Sequence, residues 1–326
     1  MIGRRAFIGS LSGALLADPL GAYAQRGKVV RIGWLSLGSP ITFATRLTAF
    51  RQALSELGYP AESTFIEQRW AEGRDELLAG LAAELVSLRV AIFVSVGTPA
   101  THAARQATET IPIVMIAVGD PVGTGLVASL GRPGGNVTGV SNLAVDLSGK
   151  LLDLLREIAP TAGAIAVLLD PTNPVHPVYW REIQRGAEKA GVRLQPVEAR
   201  KPEELDHAFT VIARLNPGGL VVLPDPLYLI HRARIADLAA RHRLPAIYPA
   251  RDYTEAGGLI SYGPYTPELY RRAAAYVDKI LKGAKPADLP VEQPAKFELV
   301  VNLKTARAIG VAIPQTVLLR ATEIVQ

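Results

Sequence analysis

The sequence predicts an α/β protein of two doubly wound, parallel-sheet lobes, and three observations carry that expectation. Short apolar runs of strand length alternate with segments whose apolar residues recur every three or four positions. The runs read as apolar on both faces, as strands covered by helices on two sides must be. The rhythm then starts again from Ala164, and a chain of 326 residues is long enough for two cores of ordinary size.

In the first half, "VVRIGWL" reads as a strand, and Phe43, Leu47, Phe50, Leu54 and Leu57 form one helical face closed by Gly58. The alternating run "TFIEQRW" is the next strand, followed by a helix carrying Leu77, Leu78, Leu81, Leu85 and Leu88. Strand "AIFVSV", a helix opening within "GTPATHAARQA", strand "PIVMIAV" and strand "NVTGV" complete the half. A helix with Leu147, Leu151, Leu154 and Ile158 lies between the halves and opens the second. There the order is "AIAVLLD", a helix over 178–190, "RLQPVEA", a helix with Leu205, Ile212 and Leu215, "GLVVLP", a helix over 235–239, "PAIYPA" and "GGLISYG".

The tail fits neither half as a simple extension. A helix with Leu269, Ala273, Tyr276 and Ile280 ends at Gly283, "PADLPVEQP" is extended, and "FELVVNLKTARAIG" is a further strand and helix. The expected division is therefore residues 28–141 plus about 260–301 for the first lobe and 142–259 plus about 302–326 for the second. Three connections then join the lobes, an arrangement that favours hinge bending.

Residues 1–24 read as a cleavable leader: Arg4 and Arg5, an apolar run over 6–16 cut short by Asp18-Pro19, and the small-x-small site Ala22-Tyr23-Ala24. The arginine pair has the look of a twin-arginine export signal. Without cysteine the chain has no disulfide, thiolate metal site, Cys nucleophile or lipid attachment point. The net charge of +5 is dispersed, with no basic block and no interleaved aromatics, which argues against nucleic acid as a partner.

In a doubly wound sheet the ligand sits beyond the carboxyl ends of the strands. Those loops are "SLGSP", beginning with Ser36, then "SVGTPA", "GDPVGTG" and "SN" in the first half, and "DPTNP", "PDPLY", "YPARDYTEAGG" and "YGP" in the second. Ser95, Gly97 and Thr98 in "SVGTPAT" combine a close-approach glycine with hydroxyls beside the unpaired N–H groups of a helix start, so they are candidates for holding an anion; ordinary helix capping explains the same residues. The Asp120-Pro121 and Asp225-Pro226 pairs either accept hydrogen bonds from a ligand or initiate turns. Tyr228, Tyr248, Tyr253, Tyr262 and Tyr265 either stack on a planar ligand or pack the strand ends. His102, His176, His207, His231 and His242 show no metal-ligand spacing, and no phosphate loop, dinucleotide fingerprint or nucleophile elbow is present, so neither cofactor nor metal is expected.

Taken together, "GTPA", "PIVMIAVGDPVGTGLVASLGRPGGNVTGVS", "SGKLLDLLREIAP", "AVLLDPTNP", "GGLISYGP" and "ILKGAKPADLPVEQPAKFELVVNLKTARAIG" resemble the substrate-binding proteins of ABC importers, in the group with tryptophan- and phenylalanine-binding members. The resemblance implies a type I periplasmic-binding-protein fold, in which two Rossmann-like lobes joined by three crossovers trap one small molecule. It also implies delivery to an inner-membrane permease, a periplasmic location, no enzymatic step and a monomer that presents both lobes. Carried over by motif, Ser95, Gly97 and Thr98 would bind a carboxylate, while Asp120, Ser141, Asn173 and Asp225 would line the rest of the cleft. One departure stands out: where such relatives tend to have "VSD", this chain has Val140-Ser141-Asn142. The amide offers no net charge to an ammonium, which leaves open an amino acid or an aromatic acid without the amine. A sensing role for a membrane receptor and an exported enzyme using dispersed Asp and Tyr residues are the competing readings. The export leader stands where a repressor would need a DNA-binding segment.

Overall fold

The computed structural model describes residues 29–142 and 144–326. The expected leader and its cleavage site lie outside the described residues.

The first lobe is built from β1 (Val30–Ser36), α1 (Ala44–Glu56), β2 (Thr64–Trp70), α2 (Leu78–Ser87), β3 (Ile92–Val96), α3 (Thr98–Ala107), β4 (Ile113–Val118) and β5 (Val137–Ser141). Its strands pair in the order β2-β1-β3-β4-β5, all parallel. The near-continuous apolar sequences of β1, β3 and β4 are explained by burial on both faces: Ile32, Trp34, Val94 and Ile116 face one core, and Leu35, Phe93 and Met115 face the other.

The second lobe contains α4 (Ala144–Ile158), β6 (Ala164–Leu169), α5 (His176–Ala190), β7 (Arg193–Glu198), α6 (Glu204–Leu215), β8 (Leu220–Val222), α7 (Pro226–Ile230), α8 (Arg232–Arg241), β9 (Ala246–Tyr248), α9 (Arg251–Glu255) and β10 (Ile260–Pro264). The chain continues through α10 (Thr266–Leu281), β11 (Phe297–Asn302), α11 (Leu303–Ile309), α12 (Gln315–Leu318) and β12 (Glu323–Val325). The second sheet has the order β12-β11-β10-β9-β8-β6-β7, with β10 and β11 antiparallel and the other pairs parallel. Helix ends follow local chemistry. Asn216, left-handed at φ 47°, ends α6, and the Asn302 side chain caps α11 by accepting from Thr305 N at 2.9 Å.

The sheet order corrects the expected division in the tail. Residues 260–301 are expected in the first lobe, yet β10 and β11 both belong to the second sheet, where Ile260 pairs with Ile247 on one side and Val301 on the other. Only the excursion between them returns to the first lobe. There α10 buries Leu269, Tyr270, Ala273, Val277 and Ile280 in the core that holds Trp34 and Phe50. Glu292 then exchanges hydrogen bonds with β5, its N–H to Gly139 O at 2.9 Å and its carbonyl from Ser141 N at 2.9 Å. The chain thus passes between the lobes after β5, after β10 and before β11.

Candidate functional site

Each sheet reverses strand order once beside its first strand, between β1 and β3 in one lobe and between β6 and β8 in the other. The loops at these two switch points face each other. Val96, Gly97 and Thr98 after β3, Asn173 and Val175 after β6, and Pro224 and Asp225 after β8 line a single cavity of about 830 Å³, mouth space included. A cleft at the switch points of doubly wound sheets is where such folds hold a ligand.

On the first-lobe side, α3 points its amino end at the cavity. Gly97, at φ 81°, turns the chain from β3 into the helix, and Pro99 occupies the first turn. The earliest N–H groups of a helix have no partner within it, so this end offers donors and a partial positive charge. Thr98 Oγ1 accepts from Gly119 N at 3.4 Å, which leaves its own proton for a ligand.

On the second-lobe side, Asp225 caps α7, with Oδ1 accepting from Leu227 N at 2.7 Å and Oδ2 from Asn173 Nδ2 at 2.8 Å. Burial pushes its carboxyl up to about 7, against the opposing effect of those hydrogen bonds. His176 lies beside it but is neutral. Burial lowers its pKa to about 4, Nδ1 accepts from Asp170 N at 2.8 Å, and Nε2 therefore carries the proton toward Pro224 O at 3.0 Å. The 3.6 Å approach of His176 to Asp225 is accordingly not an ion pair at neutral pH.

Two further features shape the walls. Ala117 has φ 57°, at the register shift between β4 and β5, a left-handed conformation that costs an L-residue roughly 1–2 kcal/mol. Asn142 pins it by donating from Nδ2 to Ala117 O at 3.2 Å, and Asn142 is also hydrogen-bonded to Tyr179. Tyr253 lines the cavity with a buried hydroxyl that has no hydrogen-bond partner in the protein. The hydroxyl of Tyr253 stays protonated, because burial raises its pKa well above the ordinary value.

Of the residues expected from sequence, Gly97, Thr98, Asn142, Asn173 and Asp225 come together around the cavity. Ser36, Ser95, Asp120, Pro121, Ser141 and Tyr262 do not line it. Ser36 Oγ accepts from Gly38 N at 3.0 Å within its own loop. Ser95 is fully buried, with Oγ 2.8 Å from Thr101 Oγ1. Asp120 takes the turn alternative, Oδ1 accepting from Gly123 N at 2.8 Å and preceding Pro121. Ser141 hides its hydroxyl in the first crossover, and Tyr262 stacks on Phe297 with ring centroids 5.9 Å apart.

Sequence reasoning missed Phe43, Arg46, Tyr179 and Tyr270, all of which line the cavity. Arg46 is 7% exposed, pairs with Asp252 at 2.7 Å and sits 5.1 Å over the Phe43 ring. Burial opposes its charge, but Asp252, Tyr270 and Glu255 together outweigh that effect and the guanidinium pKa is raised. Its signal was a cation inside the apolar face formed by Phe43, Leu47 and Phe50. Among the described residues no group of His, Cys, Asp and Glu is arranged to hold a metal, and no helix is long and apolar enough to cross a membrane.

The chain is 27% identical over 263 residues to the Tyrosine-binding protein of Clostridioides difficile strain R20291, which spans 80% of this chain and 75% of that one. Its fold matches a conserved domain protein of Vibrio cholerae at TM-score 0.86 and 28% identity, covering 91% of this chain and all of that one. It matches the ABC domain of Streptococcus pneumonia in complex with L-Trp at TM-score 0.84 and 28% identity, covering 91% and 99%. The ligand-free, open substrate-binding protein with adhesive properties from Clostridium difficile matches at 0.65 and 26% identity, covering 91% and 100%. The family of ABC transporter substrate binding proteins matches residues 42–325. With that match over nearly the whole described chain, and with a cavity assembled from the switch points of both lobes, this protein belongs to the ABC transporter substrate binding protein family and is a binding protein rather than an enzyme.

Proposed function

We propose that the protein is the periplasmic component of an importer. It captures an amino acid or a related aromatic acid by closure of the two lobes and hands it to a membrane permease. The observation that carries this reading is the opposition of α3's amino end in one lobe to Asp225 in the other, across one cavity. Gly97 and Thr98 hold the ligand's carboxylate. Asp225, whose carboxyl is raised to about 7 by burial, is ionised by the arrival of an α-ammonium and then supplies the counter-charge that Asn142 lacks. Phe43, Tyr253 and Tyr270 provide aromatic walls. The names of the tyrosine-binding and L-Trp-bound relatives support the same ligand class. Micromolar capture corresponds to about −8 kcal/mol, within reach of a few charge-assisted hydrogen bonds at ~1.5–3 kcal/mol each together with a buried ring.

The test is a thermal-shift screen of the chain from Gln25 onward against L-tryptophan, L-tyrosine, L-phenylalanine, branched-chain amino acids and amine-free aromatic acids. A ligand at about 100 times its dissociation constant adds about 2.7 kcal/mol of stability. Stabilisation by aromatic amino acids is the expected result. Stabilisation by amine-free acids alone would remove Asp225 from the ammonium role, and silence from every compound would refute the ligand class.

A further inference from the structure

Where the two lobes touch, one contact is made possible by the absence of a side chain. Gly119 follows β4 in the first lobe, and a Cβ built on it would lie 1.8 Å from Tyr179 Oη, 2.7 Å from Tyr179 Cζ and 2.8 Å from Val175 Cγ2, all in the second lobe. Tyr179 borders the cavity but is held in place. It is 1% exposed, belongs to the α5 face packed into the second-lobe core, and is hydrogen-bonded to Asn142 on the first crossover. The loop carrying Gly119 is equally fixed, because its N–H reaches Thr98 Oγ1, while Asn142 holds the residues before it through Val118 O at 3.0 Å and Ala117 O at 3.2 Å. A methyl group at position 119 therefore cannot be absorbed by a flexible side-chain end.

Two other glycines meet the opposite lobe, Gly73 against Leu227 and Gly97 against Pro226. Both have positive φ, at 84° and 81°, so a side chain there strains the backbone whatever the lobes do. Gly119 is not in the left-handed region. Its missing side chain serves the approach of the other lobe and not the turn of its own backbone.

We propose that Gly119 sets the depth of lobe closure: its bare Cα receives the Tyr179 hydroxyl, and any side chain at this position holds the lobes apart and the Thr98 end of the cavity away from Asn173 and Asp225. The proposal rests on reading the cavity as one that closes around its ligand.

The chain has no cysteine, so a thiol pair introduced as Arg46→Cys and Asp252→Cys is unique, and these side chains meet across the cleft at 2.7 Å in the parent. Intramolecular cross-linking of that pair by a short bis-maleimide, without ligand, measures how often the lobes reach the closed arrangement. Adding Gly119→Ala should slow cross-linking roughly tenfold or more, as expected when the closed population falls by that factor. Circular dichroism and the thermal midpoint should stay near those of the pair alone. Adding Tyr179→Leu to Gly119→Ala should recover most of the rate. An unchanged rate with Gly119→Ala overturns the proposal, and so does a slowed rate that Tyr179→Leu fails to recover. A failure of the amino-acid reading shows separately, in the thermal-shift screen of the unsubstituted chain, and leaves this comparison intact.

Discussion

Arg46 of α1 and Asp252 of α9 meet at 2.7 Å across the cleft, with side chains only 8% and 18% exposed, so the pair ties the first lobe to the second at the cavity wall. Arg46 is also anchored within its own lobe, through Nη1 to Thr42 O at 3.2 Å. The ion pair exists only when the lobes are together, so its energy belongs to closure and not to the folding of either lobe. Asp252→Asn should weaken binding of the best amino acid from the screen by roughly ten- to a hundredfold, the equivalent of ~1.5–3 kcal/mol for a charged hydrogen bond. Isothermal titration calorimetry measures this, and an unaltered dissociation constant would show that the pair contributes nothing to closure.

Thr98 and Ser95 sit three residues apart but should behave differently. Thr98 lines the cavity, whereas the Ser95 hydroxyl is consumed by Thr101 beneath it. Thr98→Ala is expected to cost affinity by at least about tenfold, with little change in thermal midpoint. Ser95→Ala is expected to lower stability by ~0.5–1.5 kcal/mol, because Thr101 loses one buried partner and keeps its bond to Gly97 O, while affinity holds. Urea unfolding beside calorimetry separates the two; the reverse pattern would exchange their roles.

Asp225→Asn keeps a side-chain oxygen for Leu227 N and so keeps the helix cap, but removes the charge and gives up the bond accepted from Asn173 Nδ2. Amino acids should lose affinity while amine-free aromatic acids lose little. An equal loss for both classes would show that Asp225 acts through the shape of the loop and not through charge.

Asp75 gives a pH dependence with a defined sign. It lies beside Thr172 of the second lobe, with its Oδ1 buried and unpartnered. Burial first, then Asp225, Asp170 and Glu76, push its carboxyl up to about 7. The folded pKa is thus above the unfolded value near 3.9. The folded protein holds this proton more tightly, so its contribution is fully present below about pH 4 and is lost as pH rises through 7. Asp225 acts in the same direction. His176, depressed to about 4, acts oppositely, and its contribution is lost only as pH falls from about 6.5 toward 4. The thermal midpoint should therefore fall between pH 6 and pH 8, and Asp75→Asn should reduce that fall. An identical slope in both proteins would refute the assignment to Asp75.

The alternation of apolar runs such as "AIFVSV" and "AIAVLLD" with amphipathic segments was enough to order the strands and helices. It also pointed to the carboxyl-end loops as the place for a ligand. Gly97, Thr98, Asn142, Asn173 and Asp225 were legible because loop position and residue type together restrict them. Ser36, Ser95, Ser141 and Tyr262 lie on or beside the same strand ends, and the pleat decides whether such a side chain turns into the cavity or into a core. One residue of register separates those outcomes, and loop sequence does not encode it.

The sequence by itself determined two doubly wound lobes, because apolar periodicity is a local property that each segment carries alone. Only the tertiary structure decided that β10 and β11 complete the second sheet while α10 returns to the first lobe, since strand pairing joins residues far apart in the chain. The same holds at the cleft. Arg46 and Asp252 are 206 positions apart, and Gly119 and Tyr179 belong to different lobes. Their significance comes from one approach of two surfaces, which no window of sequence contains.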